Sequence, residues 1–212
     1  RSTEFAAVAR SMNDLSDRVQ AMLADEAELL KSKKASSDLD ETTGLLNRDT
    51  FVDQFRTKLG RENEEALGSA ALIRILGLAD MNREYGRHLI DNLLADIGSS
   101  LSTLRNDDSY GASCIIGRMN GADVCAIASN ETNAKNLADV MQRMVRAVLA
   151  NHGIDGRYRV AAACIDYEYG DGTGDLLTAM DGALAQSELQ AGVPVVPAEL
   201  NKEANDQRAT QM

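Results

Sequence analysis

Few side chains in this sequence have the type and spacing for covalent or metal chemistry. The thiols are Cys114, Cys125 and Cys164, an odd number without a Cys-x-x-Cys spacing, each within an apolar, strand-like stretch. They read as buried reduced thiols of a reducing compartment. The two histidines, His88 and His152, are too few to complete a zinc site with them. Charge chemistry is the remaining prospect. Arg74 falls in a β-type run, and a buried cation there needs a partner because an unpaired buried charge is costly. Asp123, across a predicted hairpin, is one candidate; an exposed arginine at a strand end is the alternative.

These groups must be held by a core that is poor in aromatics and has no Trp, so Ala, Leu, Ile, Val and Met do most of the packing. The chain has 212 residues, enough for one ordinary domain and an appendage. Its net charge of -11 argues against a nucleic-acid surface and against binding to an anionic membrane by charge alone. No apolar run is long enough to span a bilayer, and no signal peptide is evident; since residue 1 is not Met, the chain is expected to be a piece of something longer.

Residues up to about Lys34 read as one long helix. Phe5, Val8, Met12, Leu15, Val19 and Met22 repeat with the 3-4 spacing of a coiled-coil seam. Glu26 interrupts that frame, and Leu23, Ala27 and Leu30 carry on in a shifted one, a stutter. A helix packed on its own domain is the alternative. A polar break, 31–43, follows. Then come a helix 48–59 capped by Asn47, a strand 69–77, and helices 78–85 and 88–104 divided near Gly86. Apolar runs 114–119 and 122–128 flank Asn120-Gly121, the signature of a type I′ hairpin with φ > 0 at both residues. A helix 131–150, a strand 158–165, a helix 175–190 and a polar tail after Val196 complete the chain. That order predicts a ferredoxin-like α/β (α+β) fold, a mixed sheet flanked by helices.

Four segments carry a family resemblance. Asp40-Glu-Thr-Thr-Gly-Leu-Leu-Asn-Arg48 resembles the DxLTGLxNR opening of GGDEF domains, the diguanylate cyclase family, with Thr42 and Leu46 departing. Asn82, Gly86 and Asp91 keep the spacing of that family's NDxxGHxxGD segment. Arg118-Met-Asn-Gly-Ala-Asp-Val124 falls where the family has RxGGDEF, and Asp181-Gly-Ala-Leu184 resembles the start of its closing ADxALYxAK helix. The first helix resembles the second helix of a HAMP module running into a signalling helix, and the combination is most similar to LapD-type receptors. The resemblance implies a HAMP-derived signalling helix over 1–36, a nucleotidyl-cyclase-like GGDEF domain over 37–194 and a polar linker over 195–212.

A cyclase of this family needs divalent metal, held by an Asp of the first strand and an acidic residue of the hairpin turn. By the resemblance those positions are Arg74, eight residues before Asn82, and Ala122; the family's phosphate-binding Lys falls on Glu188 and the Lys after the first strand on Ala79. The family's RxxD product site falls on Gly111 and Cys114. The expectation is a catalytically inactive domain without metal or cofactor. Asn82 and Asp91 match the family's guanine contacts: a relic site for regulatory GTP binding is one reading, and ordinary turn and helix capping by the same side chains is the preferred one. An active cyclase is the remaining alternative. The implied role is a relay or dimerisation module of a cyclic di-GMP receptor at the cytoplasmic side of a bacterial inner membrane. Its parent would be membrane-anchored and carry an EAL domain, and its partner would be a second copy rather than nucleic acid.

The seam sets a prediction about assembly. The chain is expected to form a parallel dimer that dissociates on dilution, and removal of residues 1–34 to leave a folded monomer, both measured by sedimentation velocity. A truncated chain that stays dimeric would place the interface in the globular domain.

Overall fold

The computed structural model describes residues 18–20, 22, 38–60, 67–106, 110, 114–129, 133–154, 156–190 and 192–200. The chain divides into two compact units, Arg1–Asp38 and Leu39–Met212. In the first unit Arg18, Val19, Gln20 and Met22 are helical, and Val19 and Met22 are 47% and 72% exposed. The rest of the expected seam, including its shifted part at Leu23, Ala27 and Leu30, lies outside the described residues.

In the second unit, helix α1 (Arg48–Leu59) begins where Asn47 accepts a hydrogen bond from the Thr50 amide at 2.9 Å, and Phe51, Phe55 and Leu59 form its buried face. Strand β1 (Gly68–Ile75) leads through Gly77, at φ +80°, into α2 (Leu78–Tyr85). Helix α3 (Arg87–Ser102) and a 3-10 turn (Thr103–Asn106) follow. The hairpin strands are β2 (Ile115–Arg118) and β3 (Asp123–Ser129). Then come α4 (Ala134–Asn151), β4 (Val160–Tyr167), α5 (Thr173–Leu189) and β5 (Val195–Pro197).

The sheet order is β2-β3-β1-β4-β5; β1 runs antiparallel to both β3 and β4, and β5 runs parallel to β4. The first four strands give the ferredoxin-like plan expected from the element order. Both faces are covered, which is why β1, β3 and β4 are buried almost throughout. Alternation sorts the side chains. Ala71, Ile73, Ile75, Val124 and Ala126 face the core built by α3 and α4, whereas Ala70, Leu72, Cys125 and Ile127 face the core built by α1 and α5. Arg74 and Asp123 continue the second set.

Several details depart from the pattern read in the sequence, among them the bounds of β1, β4 and α4, which differ by two or three residues at one end or both. The Asn120-Gly121 turn is not type I′: neither residue has positive φ. Four residues, Met119 to Ala122, separate the strands, and the Asn120 side chain accepts from the Ala122 and Asp123 amides at 3.1 Å each. An Asx-type turn thereby supplies the bonds that a two-residue turn would have made. A strand not read in the sequence, β5, forms at Val195–Pro197, so that Pro197 of the expected tail belongs to the sheet. The strand is anchored by α5, where buried Ser187 donates to the Pro194 carbonyl at 2.7 Å and accepts from the Ala162 amide at 3.3 Å. Helix α5 also starts two residues earlier than the pattern suggests, at Thr173.

The segment ahead of α1 seals one edge of the sheet. Leu39 bridges Leu46, and Leu46 bridges Gly117 of β2: the Leu46 amide donates to the Ile116 carbonyl at 3.2 Å and its carbonyl accepts from the Arg118 amide at 2.8 Å. Gly98 of α3 lets this segment approach, since a side chain there would run into the Thr43 carbonyl. Asp40 organises the turn, accepting from the Thr43 amide and hydroxyl at 2.8 Å each and from Arg118 at 2.9 Å. Partial burial works against its charge, but these donors outweigh it and hold the carboxyl below its usual range. A carboxylate depressed by folding stabilises the fold above its unfolded value, near 3.8, and gives that up as pH falls through the lower folded value. Asp40→Asn should therefore cost about 1 kcal/mol at pH 7. In urea melts the gap to the parent should close as pH falls below 3.8; a gap that is constant with pH would remove the ionic part of this account.

Candidate functional site

The polar centre of the domain lies where β1, the β2–β3 turn and α5 meet. Arg74 and Asp123 are directly opposed in the β1–β3 register. The guanidinium grips the carboxylate with two bonds, Nε to Oδ1 and Nη2 to Oδ2, both 2.6 Å. Asp123 is buried, 3% exposed, and Asn120 donates a further bond to it at 2.7 Å. From α5, Glu188 accepts from Nη1 at 2.7 Å and Asp181 from Nη2 at 3.1 Å. The Asp123 hydrogen bonds, partly opposed by burial and reinforced by Glu188, push the Arg74 pKa well above its ordinary value. Alternation puts Arg74 on the α1/α5 face, and Asp181 and Glu188, seven apart, share one face of α5 two turns from each other.

Beside this cluster lies a cleft of about 290 Å³, lined among others by Arg48, Leu72, Met119, Asn120, Asp123 and Asp181. Its lining sets Arg48 beside Asp123 and Asp181, and with Arg74 and Glu188 adjoining them two cations face three carboxylates. A hard divalent cation would need carboxylate oxygens converging on one point. Among the described residues no group of three or more His, Cys, Asp or Glu side chains is arranged to hold a metal. Ala122, half-buried at the turn, offers only its carbonyl, which already accepts from the Ile75 amide at 3.0 Å.

Asn82 and Asp91 are not part of this cluster. Asn82 sits inside α2, where its side-chain amide donates back to the Leu78 carbonyl at 3.1 Å, and so caps no turn. Asp91 is the fifth residue of α3, whose N-cap is Gly86, and it pairs with Arg87 at 3.7 Å. The capping roles expected of both are thus replaced by bonds within their own helices. The three cysteines are free and buried. Burial pushes the Cys114 and Cys164 thiols up to about 11 and Cys125 higher still, so none is primed as a nucleophile. Cys114 is described while Gly111 is not.

Sequence reasoning placed Arg74 and Glu188 at positions of interest and weighed Asp123 as a partner, but did not see that Glu188 and Asp181 meet the same guanidinium. Nor did it assign Asp40 to Arg118 or Asn120 to Asp123. The seven-residue spacing of Asp181 and Glu188 was the available signal; a partner on a distant strand has none in a single sequence.

The model of the family described as "Diguanylate cyclase, GGDEF domain" matches residues 37–192. Among solved structures, the coiled coil and GGDEF domain of DgcB from Caulobacter crescentus, in complex with c-di-GMP, superposes with a TM-score of 0.70 at 18% identity, covering 89% of this chain and 100% of that one. The S helix-GGDEF-EAL portion of Vibrio cholerae LapD, bound to c-di-GMP, gives 0.66 at 13% identity, covering 89% of this chain and 45% of that one. The diguanylate cyclase SiaD from Pseudomonas aeruginosa, in complex with its activator SiaC, gives 0.64 at 18% identity, covering 93% and 75%. No curated protein matches the chain. At these identities the structural likeness is one of fold.

The cluster's energetics can be tested by stability. Arg74→Ala leaves a buried carboxylate without its cation and should cost about 3 kcal/mol in urea denaturation followed by circular dichroism. Glu188→Gln, a third exposed, should cost no more than about 1 kcal/mol. Equal losses for the two would mean that Arg74 is not the centre of the group.

Proposed function

Because this chain belongs to the family of diguanylate cyclase GGDEF domains, we propose that it is a catalytically silent member that relays a signal in a cyclic di-GMP signalling receptor. The observation that carries the reading is the capture of Arg74 by Asp123, Glu188 and Asp181. By resemblance, Arg74 stands where the family places a metal carboxylate, Ala122 where it places the second, and Glu188 where it places a phosphate-binding Lys. Two charges are thus reversed and one is deleted. The reversed pair now satisfies itself: the 2.7 Å contact joins the substituted positions 74 and 188 to each other. The residues present do not fit a divalent ion, because a guanidinium that cannot lose its proton lies among the carboxylates.

The remaining parts of the proposal concern context. The helical Val19 and Met22 are exposed apolar residues three apart, the short step of a 3-4 seam, in keeping with a seam that pairs two copies. The likeness to the S helix-GGDEF-EAL portion of LapD supports a signalling helix before the domain and an EAL domain as partner; a HAMP-linked, membrane-anchored parent on the cytoplasmic side rests on the sequence resemblance. Among the described residues no helix is long and apolar enough to cross a membrane. We assign the signalling helix to 1–36 and the domain to residues from 37 on; the boundary expected at 194 moves outward because Val195–Pro197 is a strand of the domain's sheet, and a linker is assigned only to the residues after 200. A second reading, regulatory GTP binding through Asn82 and Asp91, is weakened because the Asn82 amide is already engaged by Leu78 and Asp91 lies beside Arg87. An active cyclase would need metal ligation that Arg74 and Ala122 do not supply.

With GTP and either Mg²⁺ or Mn²⁺, the chain should yield no cyclic di-GMP above a buffer blank by chromatography. Arg74→Asp alone should stay inactive, since Ala122 and Glu188 remain. Turnover by the parent chain would overturn the silent reading.

A further inference from the structure

The Arg74 cluster is the middle of a longer chain of polar contacts. At one end is Asp40, near the start of the second unit. Asp40 accepts from Arg118 Nη1 at 2.9 Å, and the other arm of that guanidinium, Nη2, donates to the Gly121 carbonyl at the tip of the β2–β3 turn at 2.8 Å. The same turn is fixed by Asn120, which holds the Ala122 and Asp123 amides with its carbonyl and the Asp123 carboxylate with its amide. Asp123 is gripped by Arg74, and Arg74 reaches Asp181 and Glu188 on α5. One residue before Glu188, Ser187 holds the Pro194 carbonyl, just ahead of β5 and the last described residues.

We propose that this series — Asp40, Arg118, the Asn120 turn, Asp123, Arg74 and the acidic face of α5 — is a strap that couples the segment entering the domain to α5, the last helix among the described residues. The inference rests on the relay reading above and names its wiring. Three features favour transmission over independent surface pairs. The links are charge-assisted or made to backbone, so each has a defined geometry. The central carboxylate is 3% exposed, so solvent cannot replace a lost partner. The two arginines each span separate parts of the chain: Arg118 joins the Asp40 turn to the hairpin tip, and Arg74 joins the hairpin to α5. A displacement of the Asp40 turn changes where Arg118 holds Gly121, and the shift in the turn moves Asp123 and with it the guanidinium that α5 grips. The physical warrant for such a path is measured coupling, not proximity.

The test is amide hydrogen exchange on the whole chain at pH 7, comparing α5 amides 183–189 with the α4 amides as a reference for global opening. Asp40→Asn, at the far end of the strap, is expected to speed exchange in 183–189 at least threefold more than in α4. In an Arg74→Gln background the same substitution should add nothing to α5, because the strap is already cut. If Arg74→Gln does not fold, the pair Asp181→Asn with Glu188→Gln cuts the strap at its α5 end and takes its place. Unchanged α5 exchange in Asp40→Asn, equal acceleration of α4 and α5, or an undiminished effect in the cut background would each overturn the strap. GTP turnover assayed on the same samples reads the silent-domain proposal separately. Turnover with intact coupling would sink that proposal alone, and absent coupling with no turnover would sink the strap alone.

Discussion

The bond on which the hairpin end of this domain depends is the two-pronged ion pair between Arg74 and Asp123. A carboxylate this buried is tolerable only if its charge is met at close range, and a carboxylate that accepts from a guanidinium fork and an amide has most of its acceptor sites filled. Everything nearby is arranged to keep that geometry. The antiparallel register puts the two residues face to face, the Asn120 turn fixes the start of β3, and α5 supplies the acids for the guanidinium's outer edge. Such a pair adds little over an apolar one of the same volume, but losing one member is expensive, so it fixes which arrangement forms more than how stable it is.

Much of the fold was legible. Helical spacing of Phe51, Phe55 and Leu59, with Asn47 ahead of them, marked α1 to the residue, and the apolar runs marked β1 and β3. These signals are local: capping and periodicity act within a turn or two of chain. What failed was whatever depended on a side chain acting out of pattern. Asn120-Gly121 has the composition of a two-residue turn, but Asn120 used its amide on the backbone and on Asp123, and the loop grew to four residues. Strand β5 was invisible because Val195–Pro197 is three residues long and owes its place to Ser187 and to pairing with β4. At the site, positions 74 and 188 stood out by type, but their mutual contact spans 114 residues and no spacing rule reaches that far.

The likeness to DgcB, LapD and SiaD at 13–18% identity shows how little of the sequence the fold requires. What it does require is alternation: small and branched residues on both faces of three central strands, with helices on each side. Charged positions at the strand ends stand outside that demand. They can be exchanged, even reversed in sign, provided that each buried charge keeps a counter-charge. This is the physical room in which a domain can keep its architecture while its cleft changes character.

The segment running from Leu39 to Leu46 has a consequence for how copies of this chain can meet. An open strand edge is a template for lateral growth, and β2 would present one if Leu46 did not occupy its carbonyl and amide. At the other side of the sheet the final strand is three residues long and ends at Pro197, which has no amide hydrogen to offer a newcomer. Neither margin invites a neighbouring sheet. Copies are thereby steered away from stacking side by side into fibres, and concentrated expression should not by itself drive this domain into β-rich aggregates.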